Sequence, residues 1–334
     1  NLAHYAGGAS ADNSLLVTEL VTIGGTLDCY GSGGGKAASF GGLVVGSSGK
    51  YKATSGTTTI TAEDVTGYAW DVNGTDSFDN NDGGVTFDLG SGVDSHIRTG
   101  ETDGANSFHN LTVILDAAAR WLILRPNTGS AMTIEGNLTI SEGVVYATNV
   151  AHTLTVTGNV EVHAGGTLGH VDHTGAYSFG NIFIDASGIF IASEGVTTIL
   201  GSKSSFAISN SGTFTHNEGT VTISGGSNQW LNNGPYYNLI SNNNSSIGLG
   251  LSANVTVEND LTVNASKYLG WISPVYTLTV TGDVLANGYL NKYNSASTTG
   301  ACEFGSLTIA SGGTYYATSG VTSVLDGNFN NSGT

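Results

Sequence analysis

Four aspartates crowd one short stretch of this chain: Asp71-Val-Asn-Gly-Thr-Asp76-Ser-Phe-Asp79-Asn-Asn-Asp82. Carboxylate and amide oxygens packed this closely on a glycine-containing loop could hold Ca²⁺, which takes six to eight oxygen ligands. Asp71, Asn73, Asp76, Asp79 and Asp82 are the candidate ligands. The spacing matches an EF-hand loop only in part, and no bidentate Glu closes it. The plainer reading is a solvated turn whose Asx side chains bond their own backbone. The same carboxylates, or Glu101 with Asp103, could supply the pair that glycoside cleavage needs, roughly 5–10 Å apart across a groove.

A second constellation is His170-Val-Asp172-His173, with His163 nearby. Its content suits a metal, but alternating strand residues point to opposite faces, whereas zinc needs three or four converging ligands. Polar side chains at a corner explain it as well. Trp70, Trp121, Trp230 and Trp271, with Tyr236, Tyr237, Tyr315 and Tyr316, could form a sugar-stacking face. An aromatic at a strand position more often packs inward. No Gly-x-Ser-x-Gly elbow and no His-Glu-x-x-His helix occurs, and Arg98, Arg120 and Arg125 fit no lyase pattern. No catalytic residue is assigned, and the chain is not expected to be an enzyme.

The elements that would carry these residues repeat. Ser39-Phe40-Gly41-Gly42-Leu43-Val44-Val45 returns as Ser178-Phe179-Gly180-Asn181-Ile182-Phe183-Ile184 and as Glu303-Phe304-Gly305-Ser306-Leu307-Thr308-Ile309. Ala53–Ile60 returns as Ala192–Ile199 and Ala317–Val324, with the same two offsets of 139 and 125 residues. Two landmarks with one pair of offsets identify a tandem array. Further matches join Phe78–Phe87 to Phe214–Ile223, Asn137–Ile140 to Asp260–Val263, and Thr153–Val160 to Thr277–Val284. The array divides into a partial first module over 1–136 with an insertion around 64–107, a second over 137–259 and a partial third over 260–334. About two and a half modules result, cut mid-repeat at both ends. A segment of a longer polypeptide is expected, with further modules or neighbouring copies covering both ends.

Within a module, apolar residues alternate at the strand period, as in Leu138-Thr-Ile140 and Val160-Glu-Val162, and Gly, Asn, Asp and Ser punctuate them. The run Leu115–Arg125 reads as a strand pair with an insertion rather than a helix. The expected fold is all-β: a repetitive, parallel β-helix-like solenoid forming one continuous rod. At roughly 20–25 residues per coil, about 14 coils at about 4.8 Å each would give a rod of order 70 Å. The rival, a row of β-sandwiches, lacks a Pro-rich or charged linker; the chain has three Pro. Phe40, Phe179 and Phe304 are expected to point inward, a whole number of coils apart.

Composition narrows the function. Nine Lys and Arg face 26 Asp and Glu, a net charge of −17, so a basic nucleic-acid footprint is absent. No apolar run approaches the roughly 20 residues of a membrane helix, and insertion into a membrane is not expected. Cys29 and Cys302 occupy different module positions and are expected to be free.

The run Gly212–Ile223, followed by Tyr236-Tyr237-Asn238-Leu239, resembles degenerate repeats of large β-solenoid surface proteins. Such repeats occur in tailed-phage fibre and virion appendage proteins and in secreted bacterial adhesins. The resemblance implies an extracellular, structural or adhesive part, at a virion or cell surface, with a cell-surface glycan as a candidate partner. A phage fibre segment is the leading expectation, a bacterial adhesin segment the alternative, and a tailspike-like polysaccharide depolymerase the third. The resemblance carries over no catalytic residue.

Overall fold

A computed structural model describes residues 2–3, 14–29, 36–64, 66–90, 94–99, 106–116, 120–126, 131–147, 152–201, 205–245, 248–271, 273, 275–291 and 300–334. These residues form a parallel β-solenoid of about 12 turns, with no helix among them. Register steps from turn to turn include 18 residues (Ile223 to Ser241) and 27 (Ile60 to Phe87), on either side of the expected 20–25. By its internal contacts the chain divides into two compact units, 1–175 and 176–334.

In the 1–175 unit each turn contributes inward residues to three faces, and these stack into columns. One column runs Val17, Phe40, Ile60, Phe87, Val113, Ile140, Val162 in strict parallel register. A second runs Leu43, Trp70, Ile97, Leu124. The third holds Leu27, Tyr51 and Phe78, then Phe108, Ile134 and Val156. From Phe40 onward the first column is fully or almost fully buried, because β-branched and aromatic side chains alternate with polar ones along each strand. Phe40, Tyr51, Trp70, Phe78, Phe87 and Phe108 pack edge to face or tilted with centroids 4.8–6.4 Å apart, apart from the stacked Tyr51–Phe78 pair. The extra length near 64–107 lies within the spans from Ile60 to Phe87 and from Phe87 to Val113, each still one turn of the register. Leu115–Arg125 is read correctly as two strands: Asn110–Leu115 ends where it begins, and Trp121–Pro126 follows.

The 176–334 unit repeats the plan, with a difference. Its first column runs Phe179, Ile199, Ile223, Ser241, Val263, Ala286, Ile309. Phe304 is not on it. Phe304 lies on the column of Tyr236, Val257, Val280 and Val324. Both phenylalanines are fully buried, and their strands, Tyr177–Ile184 and Cys302–Ile309, share one order of buried positions with Ala38–Val45. The 125-residue offset therefore falls one face short of six turns, and the expected whole number of coils does not hold. The cause is that these eight-residue strands each bend across two faces. In Tyr177–Ile184, residues 177–179 pair with Val196–Ile199 while 182–184 pair with Phe206–Asn210. The bend needs glycine: a Cβ on Gly305 would strike the carbonyl oxygen of Thr281, and one on Gly41 that of Thr18.

Corners are stitched between turns by side chains. The Oδ1 of Asn110 accepts the amide of Asn137 at 2.9 Å, and Asn137 in turn accepts that of Asn159 at 2.9 Å. Asp260 accepts from Asp283 at 2.9 Å, and Asn254 from Thr277 at 3.0 Å. The matched corners Asn81-Asp82 and Asn217-Glu218 carry the same left-handed pair, with φ of 49° and 56° in one and 50° and 54° in the other. The backbone thus repeats where the sequence does.

Candidate functional site

The acidic stretch runs around part of one turn, between the register partners Ile60 and Phe87. Asp71 is buried on Tyr68–Val72, where both its oxygens accept from Arg98, Nε at 2.6 Å and Nη2 at 2.5 Å. This bidentate, charge-assisted pair joins two register partners one turn apart. Asn73 follows that strand and bonds back through its amide to the carbonyl of Val45. Asp76 sits exposed in a left-handed turn. Asp79 accepts the Asn81 amide and Asn80 that of Asp82, which are Asx-type bonds. Asp82 is almost fully exposed, 3.7 Å from the His109 imidazole. Asn106, unremarked in the sequence, fixes this loop: its Oδ1 accepts the Phe78 amide and its Nδ2 donates to the Gly74 carbonyl. Among the described residues no three His, Cys, Asp or Glu side chains group as a metal site. Glu101 and Asp103 lie outside the described residues.

The histidines divide in the same way. His170 is half-buried and its ring packs on Tyr146. His173 is buried, and burial, with His152 and His170 nearby, pushes its pKa down to about 4. Cys29 and Cys302 are both free, and burial raises each thiol to about 11.

The aromatics sort by face. Trp70, Trp271 and Tyr236 are core residues. Trp230, Tyr237 and Tyr315 are half-buried, and Tyr316 is exposed. Trp121 is 37% exposed and belongs to an outward surface on the 1–175 unit. Tyr68, His96, Ile123 and Tyr146 occupy successive turns of one outward column, joined by register pairs. The Tyr68 and His96 rings are 5.2 Å apart, and the Arg98 guanidinium lies 4.6 Å over Tyr68. The Trp121 ring stands edge-on to Tyr146 at 5.2 Å, and His170 completes the cluster 5.0 Å from Tyr146. The cationic neighbours are Arg98, held by Asp71, and the exposed Arg125. Asp94 accepts the Trp121 amide at 3.1 Å. His96 is held below the usual imidazole range by burial and by Arg125, with Asp94 opposing. Spacings of 23 to 28 residues between these column positions obscure the surface in the sequence. Outward residues recurring once per turn are the signal that could have found it.

No protein-family model, curated protein or solved structure matches the chain. No helix among the described residues is long and apolar enough to cross a membrane.

Proposed function

We propose that this chain is a segment of an extracellular structural and adhesive rod, a fibre or surface appendage of a phage virion. The observation that carries the reading is the repeated scaffold: strands at Ala38–Val45, Tyr177–Ile184 and Cys302–Ile309 bury the same positions and turn the same kind of corner. Parallel turns stacked by main-chain bonds and stitched by Asn and Asp corners suit a part whose task is to extend and present a surface. The acidic, weakly basic surface fits a soluble exposed appendage. Resemblance to degenerate surface-protein repeats supports the same role. A bacterial adhesin segment shares this architecture, and the exposed rings around Trp121 would serve it equally.

Antibodies raised against residues 1–334 and applied to particle and cell fractions of the source sample separate the readings. Labelling along projections from virus particles is expected. Labelling confined to bacterial envelopes would move the assignment to an adhesin. Labelling of cytoplasm alone would overturn both.

A further inference from the structure

We propose that the outward face of the 1–175 unit bearing Tyr68, His96, Trp121, Tyr146 and His170 binds a neutral glycan strand. This rests on the adhesive reading and names its ligand and site. Three features of the face point to sugar. First, the rings are clustered and only part-covered, with Trp121 37% exposed and centroids 5.0–5.2 Å between neighbours. Amphipathic aromatics in that arrangement offer flat apolar patches for the C–H faces of pyranose rings while their polar edges stay wet. Second, register positions on this face recur once per turn: Tyr68 and His96 put rings on adjacent turns, and Tyr146 follows two turns on, past the buried Ile123. The turn spacing of about 4.8 Å is close to the rise of one sugar in an extended chain. Third, hydrogen-bonding groups stand at the edges: Asp94 and Arg125 beside His96 and Tyr146, and the Arg98 guanidinium over Tyr68.

Charge selects among glycans. Arg98 and Arg125 lie on the strands of this face, Arg98 paired with Asp71 and Arg125 close to Asp94, while Arg120, the third arginine of the chain, is buried. The face is therefore charge-balanced on a chain of net charge −17. A polyanion would be repelled by the whole molecule and would find no excess of cations here. A polyhydroxylated neutral chain meets donors and acceptors for its hydroxyls and rings for its faces.

The test titrates purified residues 1–334 with a panel of short linear neutral oligosaccharides, of hexose and of N-acetylhexosamine, and with uronate-containing ones. Tryptophan fluorescence and calorimetry at low and high salt are the readouts. Saturable, salt-insensitive binding of a neutral member is expected. Trp121→Ala and Tyr146→Ala should each weaken it about tenfold or more, as loss of a central stacking anchor does. Tyr289→Ala, which removes the outward ring stacked 4.6 Å from Tyr268 in the 176–334 unit, should leave it unchanged. Circular dichroism and melting confirm that each variant is folded, and Trp121→Phe should restore part of the affinity if Trp121→Ala is not. Three results would overturn the proposal: no binding of neutral members, binding of uronate members alone that fades with salt, or full affinity in Trp121→Ala. Concentration-dependent dimerisation that Trp121→Ala abolishes would assign the face to a second copy instead. Failure here with antibody still decorating virion fibres removes this site and leaves the rod.

Discussion

Tyr51 and Tyr315 each bond a threonine seven residues on, Thr58 and Thr322, at 2.7 Å. They hold corresponding places in the first and third repeats. In the second, the place is taken by Phe190, and its partner hydroxyl, Thr197, accepts the Ser193 amide at 3.4 Å instead. The fold thus accommodates either ring, and the hydroxyl bond is a local supplement to packing. Tyr51→Phe should cost about 1–2 kcal/mol in urea unfolding, the price of one buried hydroxyl pair. A loss of more than about 4 kcal/mol would mean the bond does more than supplement packing. His173 sets a pH dependence at the same scale. The unfolded imidazole takes a proton near 6.5 and the native one only near 4, so the unfolded state binds more protons between them. Stability should therefore fall as pH drops through that window, by up to about 1.4 kcal/mol per pH unit. Urea midpoints measured across it should slope in that sense for the native chain and flatten in His173→Gln. A slope that persists in the variant would place the proton elsewhere.

At the level of elements, strand period and turn residues were enough to read the alternation of Asn110–Leu115 or Thr153–Val162. The phase of the repeat was not legible. Phe179 and Phe304 have the same sequence surroundings, yet one heads the column ending at Ile309 and the other joins Tyr236. A strand that bends across two faces looks the same whichever two faces it covers. Only the register of the intervening turns decides. The bend itself is testable. Gly305→Ala adds a Cβ against the Thr281 carbonyl, a backbone atom that cannot swing aside. It should destabilise by about 1–3 kcal/mol, while Gly226→Ala, with open space at the same atom, should be near neutral. Equal effects of the two substitutions would refute the steric account of the corner.

On the scale of the whole molecule, the tandem repeat disclosed the solenoid but concealed its surfaces. Trp121, His170 and Arg98 entered the sequence reading as an aromatic, a metal candidate and an unplaced cation, and Tyr146 did not enter it. Folding brings them onto one side because positions one turn apart become neighbours at strand spacing. The acidic loop underwent the opposite change: residues contiguous in sequence were dealt out to a buried ion pair, two corners and solvent. Sequence proximity overstates convergence in a solenoid, and once-per-turn spacing understates it. The proposed role is to present and hold rather than to cleave. The direct measurement is incubation of the purified chain with capsular and cell-wall glycans, scored for new reducing ends and unsaturated products. No turnover is predicted, and none should be lost or gained when Asp71, Asp76, Asp79 and Asp82 are changed to Asn. Turnover that one of those substitutions abolishes would contradict the claim and make the chain a depolymerase.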